Sequence, residues 1–194
     1  MKKKAFGFLI LFLAVQSVFA QKDSLQVDEN NSYVYYKLVE KADLPADTVY
    51  ERAYNFVKGL SKENKPAKGK ADKAFNISSK FITYGGMSLV RKETGEVKYT
   101  LNFQAVDGKY RYKLSNFIFI PYKRDRYGNM TAVPGVEVPI EKFTNKYTQK
   151  EKDATLDQIA AQSLAIEARL KHAVDKTVTP VKQPEVKKVN TGNW

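Results

Sequence analysis

The sequence predicts an α+β domain of two layers, in which helices cover one face of an antiparallel sheet. A strand precedes an amphipathic helix, alternating strands joined by tight turns follow, and a long amphipathic helix ends the periodic part of the chain. Turn-linked strands favour an antiparallel meander, and helices kept apart from them exclude a doubly wound α/β fold. The expected order is strand, helix, four strands, helix.

The first strand is predicted at residues 33–40, which are rich in β-branched and aromatic side chains. Strict alternation places Val34 and Tyr36 on one face of this strand. It places Tyr35 and Lys37 on the other face. We expect the face of Val34 and Tyr36 to be the core face.

The first helix is predicted after Asp43 and Pro45, since these residue types commonly open helices. Residues 61–72 are charged and contain Pro66 and Gly69, which indicates a loop after the helix. The apolar residues of the helix recur at helical spacing and predict one buried side. They are Val49, Ala53, Phe56, Val57 and Leu60.

Four strands are predicted to follow the loop. Residues 73–83 form the first, with a bulge at Ser78-Ser79, and residues 87–92 form the second. Glu93-Thr94-Gly95 is expected to turn the chain into the third strand.

The third and fourth strands, residues 96–106 and 109–121, are expected to form a hairpin. Asp107-Gly108 between two alternating runs is a strong hairpin signal and predicts a type I′ turn. The third strand alternates cleanly between apolar and polar residues, so one of its faces is core and the other faces water. From Phe117 onward both faces of the fourth strand are apolar, which indicates either cover on both sides or a bulge near Ser115-Asn116.

A long second helix is predicted after residue 148. Thr148 and Glu151 have the spacing of a capping box, in which each side chain satisfies the backbone of the other. Two helices can cover one face of the sheet and leave the opposite face open. The apolar stripe of the second helix consists of Leu156, Ile159, Ser163, Ile166, Leu170 and Val174.

Residues 1–20 have the three parts of a cleavable secretory signal. Lys2, Lys3 and Lys4 precede a short apolar run, and Val18-Phe19-Ala20 fits the small-residue rule for cleavage between Ala20 and Gln21. The apolar run is shorter than the roughly 20 residues that span a bilayer. The chain has no cysteine to carry a lipoprotein lipid. We therefore expect a soluble periplasmic or extracellular protein with no transmembrane segment after cleavage.

The mature chain is expected to have three zones: a flexible leader at 21–31, a single domain at 32–174 and a disordered basic tail at 175–194. Loss of the three signal lysines lowers the formal net charge from +12 to +9. The mature protein therefore stays strongly basic.

Catalytic and cofactor motifs do not emerge from the sequence. The chain has no cysteine, and its only histidine, His172, has no second such ligand to share a metal. Gly85-Gly86 lacks the ending of a phosphate loop, and no serine stands in a nucleophile elbow. We therefore predict no cofactor, no metal and no enzymatic activity. A hydrolase acting through carboxylates is the least favoured alternative, because no pair of carboxylates is brought together.

Two stretches of the chain resemble a known family. They are Tyr50-Glu51-Arg52-Ala53-Tyr54-Asn55-Phe56 in the first helix and Val106-Asp107-Gly108-Lys109-Tyr110-Arg111-Tyr112 around the hairpin. The chain resembles an exported domain of unknown function common in Bacteroidetes, described as having a TATA-binding-protein-like (TBP-like) fold, over residues 33–120. The resemblance implies this fold and an exported protein, and the family has no established activity.

The candidate binding surface is the polar face of the sheet, which also carries Thr100 and Gln104. A sheet face that is merely solvated is the alternative, since antiparallel sheets often show one face to water. A second candidate is the basic loop with Lys123, Arg124 and Arg126. The residues expected to project from the binding face are Tyr35, Lys37, Lys98, Asn102, Arg111 and Lys113.

The predicted function is that of an exported, non-enzymatic binding or interaction protein. Its partner would be a protein or an anionic ligand of the cell envelope. The alternative is an envelope-associated binder of polyanions that works through net charge. Nucleic acid is not the expected partner, because a fold name does not carry a function.

Overall fold

The computed structural model describes residues 24–60, 67–69, 72–85 and 92–176. Within these residues, eight strands form one antiparallel sheet. The strands are β1 Gln26–Val27, β2 Tyr33–Lys41, β3 Ala67–Gly69, β4 Ala74–Gly85, β5 Lys92–Val106, β6 Gly108–Arg124, β7 Met130–Ala132 and β8 Val138–Pro139. The helices are α1 Ala46–Val57 and α2 Gln149–Asp175, with a 3-10 helix at Ile140–Asn145 before α2.

The strands lie in the order β1-β2-β6-β5-β4-β3, and β7 and β8 also pair with β6. Strands β4, β5 and β6 form the antiparallel meander, while β2 pairs with the last strand of that meander. The helices and the core side of the sheet enclose one hydrophobic cluster. The predicted α+β class, with helices on one face of an antiparallel sheet, is confirmed.

Strand β5 begins earlier than the sequence indicated, and the predicted turn at Glu93-Thr94-Gly95 is wrong. Glu93 pairs with Tyr84, Gly95 pairs with Thr83, and Thr94 is the extra residue between them. The bulge lies at this point, while Ser78-Ser79 pair regularly. Residues 87–91 of the predicted second strand lie outside the described residues.

Gly95 serves close packing rather than a turn. A Cβ at this position would overlap the carbonyl oxygen of Ile120 and lie 2.6 Å from Cε2 of Phe119. Glycine inside a strand often marks such a close approach. The sequence shows the glycine but not its reason, because the neighbouring strand is remote in the chain.

The hairpin at Asp107-Gly108 is present, but the predicted turn type is wrong. Type I′ needs positive φ at both central residues, and here only Gly108 has it, at +80°. A positive φ at the second central residue alone is the type II pattern. The Asp107 carboxylate accepts a hydrogen bond of 3.0 Å from the Ala46 backbone N–H. The hairpin thereby caps helix α1, whose N-cap residue Pro45 provides no side-chain cap.

The bulge predicted near Ser115-Asn116 is confirmed. Thr100 pairs with Ser115 but Lys98 pairs with Ile118, so β6 carries one extra residue, and Asn116 has a φ of 56°. The residues that join the core cluster consequently change from even positions up to Leu114 to the odd positions Phe117 and Phe119, and Ile120 is buried on the opposite face.

The helices bury the expected stripes with one change. Tyr50 and Tyr54 of α1 are buried, whereas the predicted Phe56 and Leu60 lie at the margin of the core. The capping box of α2 is confirmed: Thr148 N–H donates to Glu151 over 2.8 Å, and Glu151 N–H donates to the Thr148 hydroxyl over 3.3 Å. The Thr148 backbone and hydroxyl donors hold the pKa of Glu151 below its usual value.

The chain ends are described only in part. Within the predicted leader, residues 24–31 form β1 and a turn in which the Asp28 carboxylate accepts from the backbone N–H groups of Asn30 and Ser32. The predicted signal 1–20, its cleavage site and residues 177–194 of the predicted tail lie outside the described residues. None of the described helices has both the length and the apolar character to cross a membrane.

Candidate functional site

The sheet face opposite the helices, here called the open face, carries two rows of side chains that cross four strands. Register fixes both rows, because residues directly opposite each other on neighbouring strands project from the same face. We call these eight residues the open-face patch. The first row is Tyr36, Lys113, Asn102 and Asn76, and the second is Leu38, Arg111, Gln104 and Ala74.

The residues of the patch other than Leu38 line a concavity of about 900 Å³. Two cations, Arg111 and Lys113, lie beside the amides of Asn76, Asn102 and Gln104, and the only carboxylate among the described lining residues is Asp72. The concavity is therefore rich in hydrogen-bond donors and carries a net positive charge.

The guanidinium of Arg111 is held in place by its neighbour across the strands. Its Nε and Nη2 atoms both donate to Oε1 of Gln104, over 3.0 and 2.6 Å. The remaining N–H groups of Arg111 stay free of this contact, since guanidinium has five donors. Lys113 forms no ion pair within the described part of the chain. Both positive charges are therefore available to a ligand.

Lys98 lies on the open face as predicted, but its charge is already paired. Its Nζ lies 2.7 Å from Oε1 of Glu137, and this hydrogen bond raises the pKa of Lys98. Nearby, Glu96 is 5% exposed and pairs with Lys80 over 3.1 Å. These charges neutralise one another, so this end of the face offers little net attraction for an anion.

The phenol of Tyr122 completes this paired end of the open face. It donates to Oε2 of Glu96 over 2.9 Å. Burial, reinforced by this carboxylate, raises the pKa of Tyr122 to about 12. The structure thus divides the predicted binding face into a paired end and the open-face patch.

The prediction that Tyr35 and Lys37 project from the binding face is wrong. Tyr35 is 0% exposed, and its hydroxyl donates to Glu167 of α2. Lys37 pairs in register with the buried Tyr112, and its Nζ lies 5.4 Å from the centroid of the Tyr35 ring. Both residues lie on the helix-covered face. The two faces of β2 are therefore the reverse of the predicted ones.

Two residues of β2 replace them on the open face. Tyr36 is 37% exposed and Leu38 is 54% exposed. Apolar or aromatic residues occupy both faces of this strand, so alternation alone does not decide which face is core. The pairing of Tyr35 with Leu114 of β6 decides it, and no sequence signal announced that pairing.

The other predicted members are where the sequence placed them. Asn102, Arg111 and Lys113 lie side by side on β5 and β6. Sequence reasoning missed Asn76, which lies opposite Asn102 on β4. The single polar position between Phe75 and Ile77 carried that signal, but the register of β4 was needed to use it.

The second candidate, the basic loop, lies away from the patch. Lys123 and Arg124 are the exposed last residues of β6, roughly 30 Å along the strand from Lys113. The guanidinium of Arg126 lies 4.8 Å from the centroid of the neighbouring Tyr127 ring. The three cations of this loop therefore do not join the patch.

An Asp125 turn fixes the basic loop. Its carboxylate accepts from the N–H groups of Tyr127 and Asn129 over 2.8 and 2.9 Å. Desolvation opposes ionisation, yet these donors lower the pKa of Asp125. The carboxylate therefore stays ionised beside the three basic residues.

His172 is exposed in the last turn of α2, where its carbonyl accepts from Lys176 N–H over 3.0 Å. In the described ranges, no group of three or more histidine, cysteine, aspartate or glutamate side chains could hold a metal ion. The amides, the guanidinium and the ammonium of the open-face patch can donate hydrogen bonds to a ligand that lies on it.

Comparison with known proteins confirms the predicted resemblance. Residues 35–119 match the family model described as "Domain of unknown function (DUF4468) with TBP-like fold". This stretch contains α1 and most of β2 and of the meander, including every residue of the open-face patch. No curated protein matches the chain significantly.

Two solved structures share the fold. A DUF4468 family protein from Bacteroides ovatus is 9% identical, with a TM-score of 0.56 over 80% of this chain and 93% of its own. A TBP-like protein from Parabacteroides distasonis is 12% identical, with a TM-score of 0.60 over 77% of this chain and 97% of its own. At these identities the likeness establishes the fold alone.

Proposed function

We propose that this protein, whose residues 35–119 match the DUF4468 family model, is an exported, non-enzymatic binding protein that holds its ligand on the open-face patch. The observation that carries the proposal is the pair of available cations, Arg111 and Lys113, set among amides in a concavity. The signal pattern at residues 1–20 supports export.

The difference in burial between the two faces of the sheet supports a ligand site on the open face. The helices bury most of one face, and residues such as Tyr35 and Phe103 pack there. Among the residues that the structure describes, nothing covers the patch to a comparable extent, and Tyr36 and Leu38 stay exposed beside its charged and polar groups. An exposed aromatic beside an arginine is a combination enriched at binding interfaces.

The ligand is expected to be anionic or to carry anionic groups. Hydrogen bonds to charged groups contribute about 1.5–3 kcal/mol each. Loss of both cations should therefore weaken binding by about tenfold or more. The prediction concerns the double variant R111Q/K113Q, in which both side chains keep a polar end.

The test compares R111Q/K113Q with the control K123Q/R124Q, which removes the same charge from the basic loop. Binding of the mature chain to immobilised envelope extract, an acidic polysaccharide, DNA and anionic lipid vesicles is measured at about 0.15 M salt, where unspecific attraction is partly screened. We expect any binding to fall in R111Q/K113Q and to persist in K123Q/R124Q. Equal losses in the two variants would contradict the proposal and favour adsorption through net charge.

A further inference from the structure

The patch combines two kinds of hydrogen-bonding group, side-chain amides and cations. Asn76 and Asn102 each present an acceptor oxygen and two donor hydrogens, while Gln104, whose Oε1 already accepts from Arg111, presents its two donor hydrogens. Such groups match hydroxyls, which donate and accept at the same time. Arg111 and Lys113 beside them match a carboxylate, and guanidinium can bind a carboxylate in bidentate fashion. We infer that the open-face patch binds an acidic polysaccharide; this inference rests on the proposed function.

The arrangement of these groups suits a chain of sugar rings. The first row of the patch crosses four strands, spaced about 4.8 Å apart, so its groups are distributed along a line. Asn76 and Asn102 lie at one end of this row, Lys113 follows, and Tyr36 lies at the other end. A polymer laid along the row would contact amides, then a cation, then an aromatic ring.

Tyr36 adds an apolar contact for such a ligand. Its ring is 37% exposed at the outer strand of the row. An aromatic side chain offers a flat apolar body together with a polar hydroxyl. The C–H faces of a sugar ring can pack against that body while the sugar hydroxyls remain solvated.

Arg111 is already oriented for a carboxylate. Gln104 accepts from two nitrogens of its guanidinium, so little freedom remains to be lost when an anion binds. A guanidinium held in one orientation favours a planar carboxylate, which it can bind through two parallel hydrogen bonds. This feature argues for a uronic acid polymer, whose acidic groups are carboxylates.

Two other anionic polymers fit the patch less well. Single-stranded nucleic acid is bound through a continuous basic groove with several aromatic platforms, and the described lining residues include two cations, one exposed tyrosine and the carboxylate of Asp72. Anionic membranes attract clusters of four or more basic residues. Both serve as competing outcomes in the experiment.

The experiment measures binding of the mature chain to polygalacturonate by calorimetry. Its fully methyl-esterified form keeps the sugar backbone but lacks the charge, and a DNA oligonucleotide and phosphatidylglycerol vesicles test the other polymers. The amide variant N76A/N102A leaves Arg111, Lys113 and Gln104 in place. Its control, N145A/Q162A, removes two amides from exposed positions outside the patch. Thermal unfolding verifies that each variant is folded.

We expect polygalacturonate to bind at least tenfold more tightly than its methyl ester. N76A/N102A and R111Q/K113Q should each weaken it about tenfold, and N145A/Q162A should not. Equal binding of the methyl ester, or full binding by N76A/N102A, would overturn the inference. If DNA, vesicles or a protein bind through Arg111 and Lys113 while polygalacturonate does not, the inference fails and the proposed function stands. If no ligand depends on these two residues, both fail.

Discussion

At the scale of single residues, several positions have roles that only the folded chain reveals. Asp107 belongs to a hairpin turn by sequence, yet its carboxylate caps a helix that begins 61 positions earlier. Gly95 belongs to a turn by sequence, yet it admits the backbone of β6. Both residue types were visible in the sequence, while their partners were not, because those partners are distant along the chain.

Gly95 gives a prediction at this scale. Gly95→Ala should destabilise the protein by about 1–3 kcal/mol or more, because the added Cβ meets backbone and ring atoms of β6 that pack tightly. Gly85→Ala should cost less, since its Cβ meets only the side chain of Thr94. Urea unfolding of both variants measures the difference. Equal stability of the two variants would contradict the close approach at Gly95.

At the scale of elements, the sequence predicted a strand face or a helix start correctly where the pattern of apolar and polar residues was clear. Alternation assigned the faces of β5 correctly, and the capping box located the start of α2. The same rule reversed the faces of β2, because Tyr35 and Tyr36 are equally suited to a core. The patch was consequently found in its β5 and β6 members and missed in β2 and β4. Strand order and register, which alternation does not specify, supplied the rest.

The reversed strand gives a prediction at this scale. Tyr35 donates to Glu167, whose carboxylate also lies 2.8 Å from Nζ of Lys171. Tyr35→Phe should therefore lower the free energy of unfolding by about 1–2 kcal/mol at pH 7. Tyr36→Phe on the open face should change it by less than about 0.5 kcal/mol. A larger loss in Tyr36→Phe would restore the original assignment of the faces.

The same contact has a pH dependence with a definite sign. Burial opposes ionisation of Glu167, but Lys171 and Tyr35 together hold its pKa below the usual value. A lowered folded-state pKa adds stability above the unfolded pKa of about 4.3, and that stability is lost as pH falls through the folded pKa. The difference in the free energy of unfolding between wild type and Glu167→Gln should therefore be greatest near neutral pH and should become smaller below about pH 4.

At the scale of the whole molecule, the proposed function assigns stability and binding to opposite faces of the sheet. The helix-covered face carries the core, and the open face carries charges and amides that contribute little to folding. Ion pairs reduce the part of the open face that carries unpaired positive charge. Glu137 neutralises Lys98, and Glu96 neutralises Lys80. What remains is a patch of limited size with oriented donors. The sequence predicted the basic polar face, and only the three-dimensional pairing showed which of its cations are available.

The most direct test of this account observes the patch side chains themselves. In the isotope-labelled mature protein, the side-chain NH₂ resonances of Asn76, Asn102 and Gln104 and the Nε–H resonance of Arg111 are followed by NMR while polygalacturonate is added. We expect the chemical shifts of these resonances to change together and to reach a plateau, while the chemical shifts of the Arg124 and Arg126 Nε–H groups stay constant. Shifts confined to Arg124 and Arg126, or saturable binding without any change in the patch resonances, would contradict this account.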